Sequence, residues 1–434
     1  MAIKEPQGPT VIVPPPPPPH PARRVVLLVA AVVGAAVLGV LLGLLVFYLL
    51  PPRAPLKLAM GKYIPSGPKI IDAQFDAHCR ARAEEVLAGM TLEQKAGQLL
   101  MIGFDGTSAS GIRERDHPGG IVLFRRNIDT ADQLTRLIAD AQQAAHARDG
   151  AGLLVAIDQE GGRVAQLLSP LCKRFPANRD WGNIYAFAPE SALIGVQEQA
   201  RETAATFRRY GINMNLAPVL DAQPAVDQKT VIGSRSYGDD PDVVSALGCE
   251  YIRALQNEEI IATAKHFPGH GATLDDSHSE LPRINVSDGK IDAALEPFRQ
   301  AVAAGTEAIM TGHIVYDAVD NNPATLSFTW LTRRLREEMR FQGLIVTDSM
   351  GMGAIVKHYN FDEAVVNAVN AGADIILIAT GDDYQRTAAD AIVKAVNDGT
   401  LTRLRLDDSV RRILYYKARH GLLDRPHENR KAGS

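Results

Sequence analysis

Eight short apolar runs limit what this chain can fold into: residues 99–104, 121–124, 153–158, 214–219, 261–266, 308–314, 344–348 and 374–379. Between most of them lie segments of 3.6-residue periodicity. TADQLTRLIADAQQAAHA (130–147) is a clear case, and AVVNAVNAG (364–372) ends on a glycine suited to a helix C-terminus. Strands that alternate with helices imply a parallel sheet covered by helices. Eight such units in about 340 residues fit an α/β fold, a TIM-type (β/α)8 barrel with some long loops. A doubly wound open sheet is the structural alternative, but no glycine-rich phosphate loop follows the first run.

The N-terminus has a different character. Residues 13–22, VPPPPPPHPA, suit a polyproline II spacer. Residues 25–50 then run for twenty-six positions without a charge. At 1.5 Å per residue that is ample for a hydrocarbon core about 30 Å thick. Pro51, Pro52 and Arg53 follow, and Lys57-Leu58-Ala59 is a poor cleavage site, so the expectation is an uncleaved signal anchor. Basic residues flank both sides (Arg23 and Arg24; Arg53, Lys57 and Lys62), so charge does not decide orientation. The short N-terminal tail favours N-in, with the catalytic domain outside the cytoplasm. The expected organisation is a Pro-rich tail (1–24), a transmembrane signal anchor (25–50), a linker (51–75), the barrel (76–425) and a polar tail (426–434).

Composition narrows the partners. A net charge of −4 gives no reason to expect nucleic acid. The three cysteines, Cys79, Cys172 and Cys249, are isolated, so neither a disulfide framework nor a zinc ribbon is indicated.

A barrel carries its chemistry at the C-terminal ends of its strands. Polar residues gather there: Asp158 in DQEGGR, Asp221 in NLAPVLD, Lys265 and His266, His313, and Asp348 in LIVTDSM. A charge closing an apolar strand costs burial energy unless it is paired or working. Any one of them could be a barrel-rim carboxylate or cap; five strand ends converging on one face suggest a polar active site. Residues 265–282, KHFPGHGATLDDSHSELP, add His266, His270 and His278 within thirteen positions. Pro268, Gly269 and Gly271 break any helix that could present the histidines at metal-ligand spacing, and no HExxH or cysteine ligand is near. No metal and no cofactor is expected.

Several blocks together resemble glycoside hydrolase family 3, and within it the single-domain β-N-acetylhexosaminidase branch. They are MTLEQKAGQLLMIGF (90–104), IDQEGGRV (157–164), NLAPVLD (215–221), IGSRSYGDDP (232–241), KHFPGHGATLDDSH (265–278), LIVTDSMGMGA (344–354) and LDDSVRRILYYKARHGL (406–422). The resemblance implies a retaining exo-β-N-acetylglucosaminidase acting through a covalent glycosyl-enzyme on an N-acetylglucosamine-containing glycan, with peptidoglycan fragments as the natural substrate. It places the nucleophile at Asp348 and an acid/base dyad at Asp276 and His278. An imidazole titrating near pH 6.5 can serve as both acid and base near neutrality. The resemblance further implies sugar contacts from Asp158, Lys265 and His266, with Arg235 near the N-acetyl group and Arg163 in the adjoining turn. GGR also reads as a tight turn capping a helix. His270, between two glycines, reads as structural, packed under the loop. Three positions beyond Arg163 the branch commonly has an arginine, where this chain has Gln166, a substrate-binding position with altered chemistry. A β-glucosidase or β-xylosidase on the same barrel, or a catalytically silent wall-binding barrel, are the alternatives.

Overall fold

The computed structural model of the chain describes residues 71–113, 116–223, 232–271, 277 and 280–424. The expected N-terminal tail, the anchor at 25–50, the polar tail, Asp276 and His278 all lie outside them. Among the described residues no helix is long and apolar enough to cross a membrane.

Each apolar run contributes one strand: β1 Leu100–Ile102, β2 Gly120–Leu123, β3 Leu154–Ile157, β4 Met214–Asn215, β5 Ile261–Phe267, β6 Ala308–Thr311, β7 Leu344–Thr347 and β8 Ile376–Ile378. Every residue in these eight strands is buried. That is why the runs are continuously apolar rather than alternating: one face fills the barrel and the other lies under helices. The strands pair in parallel in the order β8-β1-β2-β3-β4-β5-β6-β7. Between β7 and β8 the seam is carried by a parallel bridge from Val346 to Ile375. Asp374 N–H and Ile375 N–H both donate to the Ile345 carbonyl, and Thr347 N–H donates to that of Ile375. This circle of contacts excludes the doubly wound alternative, which would leave two free edges.

The helices follow local signals. Ala131–Asp149 starts at Thr130, whose side chain accepts from Gln133 N–H, and ends at Gly150 with φ 68°. It buries Leu134, Leu137, Ile138, Ala141 and Ala145, one stripe of its surface. Phe361–Ala371 stops at Gly372. The first described helix, Ala73–Gly89, begins inside the segment read as linker, because the Asp72 carboxylate accepts from the N–H groups of Gln74 and Phe75. A charged cap, not a change in apolar content, sets that boundary.

The GGR stretch corrects a second reading. Gly161 and Gly162, at φ 99° and 56°, do not cap a helix. They join a short antiparallel ribbon, Gln159–Gly161 with Val164–Ala165, standing on the C-terminal end of β3. A Cβ on Gly161 would sit 2.5 Å from the Pro176 carbonyl oxygen, and one on Gly162 would sit 2.7 Å from the Ala177 Cβ. Glycine is required by conformation and by space.

Candidate active site

The C-terminal ends of β3, β4, β5, β6 and β7 deliver Asp158, Asp221, Lys265 with His266, His313 and Asp348 to one end of the barrel, as the sequence suggests. The ribbon after β3 adds Glu160, and a turn before the helix Pro241–Asn257 adds Arg235.

Lys265 is the centre of the first group. Its buried Nζ lies 2.6 Å from Asp158 Oδ1 and 2.8 Å from Glu160 Oε1. Burial alone would drive the ammonium towards neutrality, but Asp158 and Glu160 outweigh it and raise its pKa. Glu160 is also gripped by Arg235, through Nε at 2.9 Å and Nη2 at 2.7 Å. Burial pushes the Glu160 carboxyl up, yet Arg235 and Lys265 pull it down to about 2. The group therefore holds fixed charges in a water-poor setting, with the half-buried Asp158 at its exposed edge.

A second group orients His266. Its ring Nδ1 is 2.7 Å from Asp221 Oδ2. Burial raises the Asp221 carboxyl, but His266 and His270 more than offset this, so it stays an ionised acceptor. Nδ1 of His266 must then be the donor. That leaves Nε2 turned towards Arg235, whose Nη2 is 3.4 Å away. The backbone N–H of His270 donates to Asp221 Oδ1 at 2.6 Å, and His270 Nε2 lies 3.2 Å from the Ser277 hydroxyl. Burial, opposed in part by Asp221, lowers His270 to about 4, so its ring is neutral. The reading of His270 as a packed residue agrees with this arrangement.

Asp348 ends β7, half-buried. Burial would raise its carboxyl, but His266, His313, the Ser349 N–H and Lys265 hold it below its ordinary value. The Ser349 N–H donates to Asp348 Oδ1 at 2.7 Å. His313 fixes the same turn, since its Nε2 lies 3.0 Å from the Ser349 carbonyl and must donate to it. An ionised carboxylate at a strand end, in the field of the Lys265 ammonium, can attack an electrophilic carbon and later leave.

The structure brings together Asp158, Arg235, Lys265, His266 and Asp348. Arg163 stands exposed at the rim and donates to the Ile232 carbonyl at 3.3 Å. Gln166 is tied in by its backbone, N–H to the Asp158 carbonyl at 3.3 Å, while its side-chain oxygen accepts from Arg125 N–H at 3.1 Å. Its amide thus serves the neighbouring β2 loop. Asp276 and His278 lie outside the described residues. Glu160 was missed in the sequence, and Asp221 and His313 were noted only as strand-end polar residues. The available signal for Glu160 was an acid directly before two glycines at a strand end.

A hollow of about 570 Å³ lies at the opposite end of the barrel, lined in part by Glu307, Arg412 and Arg419. There Arg419 pairs with Glu307 and Arg412 with Asp374, as clamps do. The convergence of oriented, partly exposed groups is at the C-terminal end.

Fold and site together define a (β/α)8-barrel enzyme with a carboxylate set among fixed charges. Residues 91–416 match the glycosyl hydrolase family 3 N-terminal domain, and the chain belongs to that family of enzymes acting on O-glycosyl bonds. A beta-hexosaminidase of Xanthomonas oryzae pv. oryzae is 34% identical over 289 residues, covering 64% of this chain and 83% of that protein. The structure of a family 3 beta-N-acetylglucosaminidase from Paenibacillus sp. str. FPU-7 superposes with a TM-score of 0.73 at 41% identity. That likeness covers 77% of this chain and 63% of the other. NagZ from Neisseria gonorrhoeae, solved with N-trifluoroacetyl-D-glucosamine, gives a TM-score of 0.62 at 29% identity over 73% of this chain and 89% of its own.

Proposed function

We propose that the protein is a retaining exo-β-N-acetylglucosaminidase that removes terminal N-acetylglucosamine from glycans, peptidoglycan fragments in particular, through a covalent glycosyl-enzyme. The observation that carries the reading is the ionised Asp348 at the end of β7, facing Lys265 and His266. Asp158, Lys265, His266 and Arg235 offer the sugar a fixed array of donors and acceptors. The names of the similar hexosaminidase and β-N-acetylglucosaminidases support the N-acetyl sugar as substrate. Asp348 attacks the anomeric carbon while the leaving oxygen takes a proton from His278, with Asp276 supporting the imidazolium. In the second half His278 takes a proton from water, which attacks the anomeric carbon and frees Asp348. The apolar segment 25–50 anchors the chain in the membrane, with the barrel outside the cytoplasm.

The test compares hydrolysis of an aryl β-N-acetylglucosaminide and an aryl β-glucoside by the fragment from residue 54 onwards, wild type beside Asp348→Ala. The expected result is a strong preference for the N-acetyl sugar, with turnover reduced by several orders of magnitude in the variant. Preference for the glucoside would make Gln166 the mark of a β-glucosidase. Cleavage of neither would leave a silent barrel.

A further inference from the structure

The turn that carries Asp348 has an aromatic neighbour with no part in the proposed chemistry. Tyr384 lies in the first turn of the helix Asp382–Asp398, which follows β8 at the same end of the barrel as Asp348. It is 36% exposed, yet its ring is firmly seated. Phe361 packs against it, with ring centroids 4.5 Å apart and planes tilted by 33°. Gly381, at φ 92°, leaves the ring its place, since a Cβ there would stand 2.8 Å from Tyr384 Cδ2. The ring also borders the nucleophile's own turn, because a Cβ on Gly351 would lie 3.9 Å from the same carbon. Gly351 follows Asp348 by three positions. That turn is held to the β8 side by Met350 N–H on the Leu377 carbonyl and by Ala379 N–H on Ser349 Oγ.

We propose that Tyr384 walls the leaving-group site, as a platform for the sugar ring on the far side of the scissile bond. This deepens the proposed function above and rests on it. Asp158 closes β3 and Asp348 closes β7, strands that stand across the barrel from one another in its ring of eight. The substrate sugar therefore has its hydroxyls at Asp158 and Lys265 and its anomeric carbon at Asp348. In a β-linked pyranose the bonds at C1 and C4 leave opposite ends of the ring. The glycosidic bond then points past Asp348, to the side of β7 and β8 where Tyr384 stands. A pyranose offers an aromatic ring a face of C–H groups, while the hydroxyls at its edge stay in water. Tyrosine suits that contact, with an apolar body and a polar tip. A ring already seated by Phe361 and Gly381 loses little freedom when the ligand arrives. The platform neither attacks nor moves a proton; it selects what is attached to C1.

The test compares two leaving groups that differ in the ring. The full chain and its variants Tyr384→Ala, Tyr384→Phe and Asp348→Ala are assayed on N,N′-diacetylchitobiose and on methyl β-N-acetylglucosaminide. Both release an alcohol that needs protonation, but only the first lays a sugar ring on the platform. The expected result is that Tyr384→Ala lowers the ratio of kcat/KM for the disaccharide to that for the methyl glycoside about tenfold, the size of effect an aromatic contact supplies. The loss shows as a raised KM on the disaccharide, because the platform holds ground state and transition state alike. Tyr384→Phe, which keeps the ring, recovers the ratio. Both rates are read on one preparation, so any fraction of unfolded protein cancels from the ratio.

An unchanged ratio in Tyr384→Ala, or a ratio that falls as far in Tyr384→Phe, would overturn the platform. If wild type cleaves both substrates and Asp348→Ala neither, while Tyr384→Ala keeps the ratio, the proposed function stands and only the platform is wrong. If wild type cleaves neither, or Asp348→Ala keeps wild-type activity, the proposed function fails. The direction of the glycosidic bond is then lost, and the inference goes with it.

Discussion

At the scale of single residues, the informative group is the one the sequence did not reveal. Glu160 is buried against two cations, Arg235 and Lys265. Glu160→Gln would leave those cations facing Asp158 alone. Removing one member of a buried ion group costs about 3–5 kcal/mol, because the remaining charges stay buried without compensation. The expected outcome is a drop of that order in urea-unfolding stability, with a raised KM as Lys265 and Arg235 lose their shared anchor. Unchanged stability with unchanged KM would mean that the group is not coupled as its geometry implies. Asp158, Lys265, His266 and Asp348 were legible in the sequence because each closes an apolar run, where an unpaired charge is anomalous. Arg235 came only from the family resemblance. Glu160 lies in a ribbon whose fold depends on two glycines, and its partners are remote: the arginine is 75 positions away, as Lys265 is 107 from Asp158. A local pattern shows that a charge is present, not which distant charge will neutralise it.

At the scale of elements, all eight strands were visible because burial on both faces leaves no alternation to misread. The long helices were visible through their periodicity and their caps. Less legible were elements fixed by backbone conformation. Two glycines can end a helix or turn a ribbon, and what decides here is close approach: Gly162 faces Ala177 with no room for a side chain. Gly162→Ala is therefore expected to cost about 2 kcal/mol, combining a left-handed φ with the crowding. Because Glu160 rides on the same ribbon, KM should rise as well. Thermal melts and steady-state kinetics on one preparation check both effects. A variant with wild-type stability would show that the ribbon can shift to admit the methyl group. Gln166, on the outgoing arm of that turn, follows the same logic: its side chain binds the neighbouring loop.

At the scale of the whole molecule, the barrel separates its two kinds of buried charge. Asp374 opens the run that becomes β8, at the N-terminal end, and joins Arg412 at 2.6 Å, Ser409 at 2.9 Å and the Ile345 N–H at 2.9 Å. It clamps the last strand and last helix across the seam, where conserving the fold rather than performing chemistry is at stake. Lys417 belongs to the same end. It sits on the final helix Arg403–Arg419, fully buried, with Nζ 2.6 Å from Gln98 Oε1. Burial lowers its pKa from 10.5 to about 7, with Asp149 opposing and Arg148 adding to the fall. The sign of the linkage follows. Below pH 7 the folded and unfolded chains both carry the proton, and the buried charge destabilises the fold in full. Between 7 and 10.5 the unfolded chain holds more protons than the folded one, so stability rises with pH. At 1.36 kcal/mol per pKa unit the span is on the order of 5 kcal/mol. Lys417→Met isolates this group, because the orphaned Gln98 amide adds only an offset that does not change with pH. Relative to the variant, wild type should gain stability steadily from pH 7 to pH 10 in chemical-denaturation curves. A difference that stays flat across that range would mean that Lys417 keeps its proton in the folded barrel, with Asp149 supplying the counter-charge that Gln98 does not.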